Sequence, residues 1–438
     1  MKNRLGFLGL LALTSMLMGQ EQVAKTGFNF GGVPAIAYNS DTGFTYGLIV
    51  NTYNYGDGSM YPDYRYSLYT EWSRTTKGSG VNKLFFDSKY LLPKEIRITS
   101  ELSYLTEQTL PFYGLNGASA PYQAGYEIED STNYISRVYY RHMRNTLKFT
   151  ADFQRKFLND NLHWIGGFGI INTSVDTVDI ATLNEGKDPV DQLPDTTSLY
   201  SEYVNYHWIG ADEAQGGLTN YVKFGLVYDT RDNEPNPMSG IWTEALVTVV
   251  PKALGSDFSY ATLTVTHRQY FTIIPQDLSF AYRLGYQGVI NGREPFFMLP
   301  NYQSSYQVNE GLGGSKSLRG ILKNRIVGKS IAFGNFEFRW KFYRTVVFNQ
   351  NVYLALNAFM DAGQVLENQP IPEPFGIPAQ PPMYYPIYPN GKDTLHKSFG
   401  GGLRIALNEN FIVAVDMGFA GAKADGSSGL YIGLNYLY

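Results

Sequence analysis

The stretch from Ile331 to Phe342 reads IAFGNFEFRWKF and decides the fold. Asn335, Glu337, Arg339 and Lys341 share one face of an extended segment, and Phe336, Phe338, Trp340 and Phe342 share the other, because successive side chains of a strand point to opposite sides. One face suits lipid and the other water. The same two-faced pattern recurs where Arg97, Thr99, Glu101 and Ser103 alternate with Ile96, Ile98, Leu102 and Tyr104. It recurs again where Lys148, Thr150, Asp152 and Gln154 alternate with Leu147, Phe149, Ala151 and Phe153. A soluble sandwich would hide such apolar faces against each other, but its strands average about five or six residues. Many here run to about ten, the length a tilted strand needs to cross a bilayer.

Composition agrees. Only 17% of the residues are charged while 15% are aromatic, with 35 Tyr and 45 Gly, as expected of strands that show rings to lipid and small polar groups to a lumen. Mean hydropathy is nonetheless negative, at -0.23, and downstream of the N-terminus no apolar run reaches the ~20 residues of a membrane helix. Lys2 and Arg4, the apolar stretch Leu5 to Met18 and the small Gly19 read as a secretory signal peptide over 1–20. There is no cysteine, so neither a disulfide nor a lipid-modified N-terminal Cys is available. A net charge of -4 and a pI near 5.8 argue against a nucleic-acid partner, which would call for basic excess.

Reading back from Tyr438, sixteen strands are expected near 429–438, 411–420, 398–407, 351–365, 331–342, 276–289, 259–272, 240–250, 219–229, 163–173, 144–157, 133–143, 96–106, 81–91, 64–74 and 44–53. Bacterial single-chain barrels close with even numbers, so Val33 to Tyr38 is assigned to an N-terminal periplasmic segment, 21–43, ahead of a barrel over 44–438. If the last strand ends in the periplasm, the long connections 174–218, 290–327 and 366–397 fall outside. The exception is 107–132, a long segment that parity places on the periplasmic side. Segment 366–397 carries Pro370, Pro372, Pro374, Pro378, Pro381, Pro382, Pro386 and Pro389 and should be extended and unable to join a ladder. The fold class is therefore all-β: a transmembrane antiparallel barrel of about sixteen strands.

Between two strands, Gly311, Gly313 and Gly314 lead into Lys316, Leu318, Arg319 and Gly320. An arginine keeps its charge, so inside a narrow lumen Arg319 would need a carboxylate. Glu337 and Asp361 both lie on lumen-facing parity. A loop folded inward would bring the three together; a loop left in solvent would make them unrelated. No catalytic residue is assigned. His267 shares a hairpin with Ser259 and Thr262 without an orienting carboxylate, and His142, His163, His207 and His396 lack metal-ligand spacing. No cofactor or metal is expected.

These residues resemble a known family, the BamA and TamA outer-membrane assembly superfamily, also called bacterial surface antigen barrels. Leu318-Arg319-Gly320-Ile321 looks like its sixth-loop motif, with Ile321 in place of the usual aromatic. Phe336-Glu337-Phe338-Arg339 and Phe359-Met360-Asp361-Ala362-Gly363 look like the two strands after that loop. Tyr228 to Asn233 and Ser398 to Arg404 match further motifs in the right order. The resemblance implies an inward-folded extracellular loop, with Leu318, Arg319 and Gly320 anchored in the lumen on Glu337 and Asp361. It covers roughly 30–438, and the form expected is one lacking the periplasmic polypeptide-transport (POTRA) domains.

Tyr431, Gly433, Tyr436 and Tyr438 resemble the C-terminal signal by which outer-membrane barrels are themselves inserted, with Leu430, Ile432, Leu434, Tyr436 and Tyr438 on one face of the final strand. What the resemblance implies is an outer-membrane protein with both termini periplasmic. It would meet outer-membrane lipid, would be a client of the assembly machinery, and would act in protein or lipid assembly or translocation, as a subunit beside other outer-membrane proteins. The alternative is a passive pore or structural barrel.

Overall fold

The computed structural model describes residues 24–39, 43–76, 78–305, 308–371, 392–408 and 411–438. The signal-peptide segment and most of the proline-rich stretch, 372–391, lie outside the described residues. The elements are β1 (Phe28–Asn39), β2 (Gly43–Asn54), β3 (Tyr66–Thr75), β4 (Gly80–Ser88), β5 (Arg97–Pro111), β6 (Arg141–Lys156), β7 (Leu162–Asp176), β8 (Gly216–Leu218), β9 (Tyr221–Asp229) and β10 (Gly240–Val250). They continue with β11 (Tyr260–Ile274), β12 (Leu278–Gly292), β13 (Asn301–Gln303), β14 (Val308–Glu310), β15 (Ser330–Val347), β16 (Gln350–Glu367), β17 (His396–Leu407), β18 (Phe411–Ala420) and β19 (Ser428–Leu434).

Sixteen of these form the wall. Each is antiparallel to its predecessor, from β1–β2 round to β18–β19. The short β8 extends the line of β9 along the upper part of β7, and β13–β14 is a separate small hairpin. No helix among the described residues is long and apolar enough to cross a membrane; the strands are the spanning elements.

The wall is inside-out relative to a soluble protein. Leu102, Tyr104, Leu147, Phe149, Phe224, Leu226, Phe338, Trp340, Met360 and Phe399 are exposed, while Glu101, Lys148, Asp152, Lys223, Glu244, Arg283, Glu337, Asp361 and Arg404 are buried. Unpaired backbone polar groups are costly in lipid, so a spanning sheet must satisfy them strand to strand. Connections on one side are short, none longer than 55–65; in the tightest, between β15 and β16, Phe348 and Asn349 both have positive φ (47° and 61°), as a two-residue primed hairpin turn requires. The described residues of 112–140, 177–220, 293–329 and 368–395 lie on the opposite side. There Phe112, Tyr113, Tyr139, Tyr140, Tyr200, Tyr203, Trp208, Phe296 and Phe297 build an aromatic core over the mouth.

Two sequence expectations are corrected, and they cancel in the count. Residues 28–39, expected in an N-terminal segment, are a full wall strand paired with β2 from Phe28↔Asn54 to Asn39↔Gly43. Residues 133–140, expected to be a strand, are loop; β6 begins only at Arg141. Tyr139 and Tyr140 are aromatic because they fill the cap core, not because they face lipid. Removing that strand places 107–132 in β5 and in a long loop on the same side as the others, which resolves the parity exception.

A third correction concerns the last strand. β19 ends at Leu434, and Asn435 takes a left-handed φ of 68°. That residue breaks the alternation: Leu430 and Ile432 stay on the outer surface, while Tyr436 and Tyr438 are buried in the interior.

Candidate functional site

The segment 293–329 between β12 and β15 folds back into the barrel. Its hairpin β13–β14 reaches one wall, where Ser304 O accepts from Lys223 Nζ at 2.7 Å and Ser305 N donates to Glu244 Oε2 at 2.8 Å. Its glycine-rich part reaches the other. Leu318 is fully buried with Tyr302, Leu312, Ile321, Ile326, Ile331, Phe333 and Val365, a small apolar core that holds the neighbouring Arg319 in place.

Arg319 binds Asp361 with Nε to Oδ2 and Nη2 to Oδ1, both at 3.0 Å, and Nη1 donates to Glu337 Oε1 at 2.6 Å. Its own N–H also donates to Asp361 Oδ2 at 3.0 Å, and its guanidinium carbon lies 3.5 Å from the Phe359 ring centroid. The fork and the ring together match what a planar guanidinium offers and an ammonium does not.

The cluster is wider than that pair of carboxylates. Glu337 also accepts from Arg339 Nε at 2.8 Å. Asp416 on β18 takes a two-pronged bond from Arg404, both arms at 2.9 Å, and lies 3.5 Å from Arg319 Nη1. Three guanidiniums therefore face three carboxylates, and all six side chains are buried or nearly so. Balance matters here, because an uncompensated buried charge is expensive. Asn335 closes the group, donating to Ser317 O and Asp361 Oδ1.

Gly320 has a φ of 96°, and a Cβ there would stand 2.5 Å from the Phe419 nitrogen. On the wall opposite, a Cβ on Gly418 would meet the Arg319 carbonyl carbon at 2.6 Å. Both positions need glycine for the loop backbone to lie on the wall. Gly320 N donates to the Tyr431 hydroxyl at 2.9 Å, so β19 also holds the loop. Further in, Tyr436 lies under Arg339 and Arg404, at 4.5 and 5.2 Å. Tyr438 lies under Arg339, whose Nη2 donates to its main-chain oxygen at 2.9 Å. Gly433, the glycine among the four C-terminal residues singled out in the sequence, has open space where a Cβ would stand. Sequence reasoning placed Asn335 on the inward face and Arg404 in a motif but joined neither to the anchor, and it did not single out Asp416 or Gly418; the excess of inward arginines over the two expected carboxylates was the available signal for a third.

Two cap carboxyls are perturbed. Burial pushes Glu294 up to about 8 and Glu202 up to about 7, the latter despite a hydrogen bond from Tyr139. A raised carboxyl pKa means the folded cap keeps protons that the unfolded chain loses above about 4.5. The contribution of these two carboxyls to cap stability is thus greatest below pH 4.5 and falls as pH rises toward 8. Protease protection of 112–140 and 177–220 should weaken across that window, and Glu294→Gln should flatten the trend.

An inside-out antiparallel barrel with a loop pinned in its lumen by a buried arginine defines a class of transmembrane barrel. The Omp85 superfamily domain matches residues 65–435, and the chain belongs to that superfamily. Among solved structures, CdiB from Escherichia coli is similar over 92% of this chain and 61% of its own, at 9% identity and a TM-score of 0.53. This chain therefore spans less than two thirds of that protein's length. BamA from Haemophilus ducreyi lacking POTRA domains 1–3 is similar over 97% of this chain and 76% of its own, at 14% identity and a TM-score of 0.49. No curated protein sequence matches the chain.

Proposed function

We propose that this chain works in the outer membrane in the assembly or translocation of proteins or lipids, as a subunit beside other outer-membrane proteins, with the meeting of β1 and β19 as its working edge. One observation carries the reading. The ladder runs unbroken from β1 to β19, yet among the described residues no ladder joins β19 back to β1. β19 itself pairs over only Ser428 to Leu434, and the outward Phe28 and Phe30 of β1 and Leu430 and Ile432 of β19 are among the most exposed apolar residues of the wall. Unpaired strand edges are unfavourable in lipid, so an unlatched seam is a reactive one that can thin the bilayer or accept another strand. The loop anchor of Leu318, Arg319, Gly320, Glu337 and Asp361 then serves as the rigid support for the last strands, through Tyr431. In this reading both termini are periplasmic, since β1 starts and β19 ends on the side of the tight turns. Tyr431, Gly433, Tyr436 and Tyr438 belong to the segment by which the barrel is itself inserted as a client. A passive pore would need a water-filled lumen, and this one is crossed by the 293–329 loop.

At the foot of the seam, a Cβ on Gly31 would touch the Phe411 ring of β18. Gly31→Cys with Phe411→Cys, bridged by a short bis-methanethiosulfonate that forms a disulfide with each thiol as methanesulfinate leaves, should fix β1 to the far side of the gap and abolish function, and reduction should restore it. Unimpaired growth and assembly with the bridge in place would sink the proposal. Affinity purification from native outer membranes should recover other outer-membrane proteins alongside the chain.

A further inference from the structure

The tight-turn side of the barrel carries a charged cluster that the loop anchor does not involve. Arg97, at the start of β5, binds Asp87 with Nε and Nη2, both at 2.7 Å. Its remaining arm, Nη1, donates to Glu234 Oε1 at 2.6 Å. Lys89 reaches the other oxygen of Glu234 at 2.8 Å and Asp63 at 3.3 Å, and Tyr64 donates to Asp87 Oδ2 at 2.8 Å.

Glu234 belongs to the turn 230–239 between β9 and β10. Two residues further along the same turn, Asn236 is buried and donates to the Tyr353 hydroxyl of β16 at 3.1 Å. Counted round the wall, β5 is the fifth of the sixteen strands and β16 the thirteenth, so the turn's two attachment points lie eight strands apart, on opposite sides of the barrel. A turn that touches both has to cross the opening. The neighbouring connection 55–65 crosses part of it too, since Asn351 of β16 donates to the Tyr61 hydroxyl at 3.2 Å, and the Asp63–Lys89 pair ties that connection into the cluster.

We propose that the turn 230–239 is a hatch that closes the lumen at the tight-turn end, latched on one wall by Glu234 to Arg97 and Lys89 and on the other by Asn236 to Tyr353. The lumen then has two barriers in series, this hatch and the 293–329 loop above it, and nothing passes along the barrel axis from the tight-turn side unless the hatch is released. This holds whatever the seam between β1 and β19 does. Burial alone would favour a neutral Glu234, but Arg97, Lys89 and Arg231 hold its carboxyl well below the ordinary range, which keeps the latch charged.

The test uses the absence of native cysteine. Thr99 is buried on the lumen side of β5, two residues above Arg97 and opposite Asp152. The full chain carrying Thr99→Cys, reconstituted in lipid nanodiscs, is treated with a charged, membrane-impermeant maleimide, and its labelling rate is compared with that of the same protein carrying Glu234→Gln or Asn236→Ala. Each latch variant is expected to quicken labelling, E234Q by about tenfold because the ion pairs to Arg97 and Lys89 that tie the turn to the wall are lost, and N236A by less. Should E234Q fail to assemble, as judged by heat-modifiable mobility on gels, N236A decides alone, since it leaves the ionic side intact. A rate unchanged in the assembled latch variants overturns the hatch.

Discussion

Replacing Arg319 by alanine should free the inward loop from the wall, at a cost of about 3–5 kcal/mol, the range for removing one partner of a buried ion pair. The size follows from what is left behind. Asp361 would lose both guanidinium donors, Nε and Nη2, keeping the backbone N–H of residue 319 and Asn335, and Glu337 would keep only Arg339. Two buried carboxylates would then share too little positive charge, and the loop is the part free to move away. Arg319→Lys should recover little, because an ammonium cannot fork onto Asp361 while also reaching Glu337 and stacking on Phe359. Limited proteolysis within 311–320, together with heat-modifiable mobility, reads the outcome directly. Combining Arg319→Ala with Glu337→Gln should cost less than the two changes added, since the double variant removes the stranded charge as well as its partner. A loop that stays protected in the alanine variant would show that the apolar cluster around Leu318, and not the charge, holds it.

Gly418→Val should displace the same loop without touching any charge. A Cβ at 418 would stand 2.6 Å from the carbonyl carbon of Arg319 and 2.7 Å from Gly320 N, closer than real Cβ atoms approach backbone. Neither neighbour is a flexible side-chain end: the one is fixed by Asp361 and the other by Tyr431. Overpacking of this kind costs about 1–3 kcal/mol and occasionally more, and here it falls wholly on the contact between the loop and β18. The expected readout is proteolytic exposure of 311–320, as for Arg319→Ala, with the Arg404–Asp416 pair left in place. Gly433→Ala is the matched control, because a Cβ there meets nothing within 4 Å; it should change stability by less than about 0.5 kcal/mol. Equal behaviour of the two glycine variants would remove the close approach from the explanation of the site.

Elements whose signal is local were legible in the chain before any contact was known. Alternation at i and i+2 is a property of one strand, so the lipid and lumen faces of β15 could be assigned from Asn335 to Phe342 before any partner was known. The grouping of the long connections on one side followed from antiparallel order. The strand at 28–39 is set aside in the sequence because sixteen others already make an even number, and one of those sixteen, expected at 133–143, is loop as far as Tyr140; β1 also carries Pro34. Proline is tolerated at the edge of a sheet, where its missing N–H is not needed, and β1 is such an edge. The strand wrongly expected at 133–143 is rich in rings because it builds a cap core, and a ring carries the same letter in a cap as in a lipid-facing wall.

Which residues meet across the lumen depends on the folded barrel. Arg319 contacts β15, β16 and β18, and through Gly320 the loop contacts β19; the turn 230–239 touches walls eight strands apart. Those distances are set by how the barrel curves and by where a loop enters it, and no local period encodes either. The inward turn of Tyr436 and Tyr438 rests on a single left-handed residue, Asn435. One residue in that conformation reverses the face of everything after it, which is why the pattern read correctly as far as Ile432 and then failed.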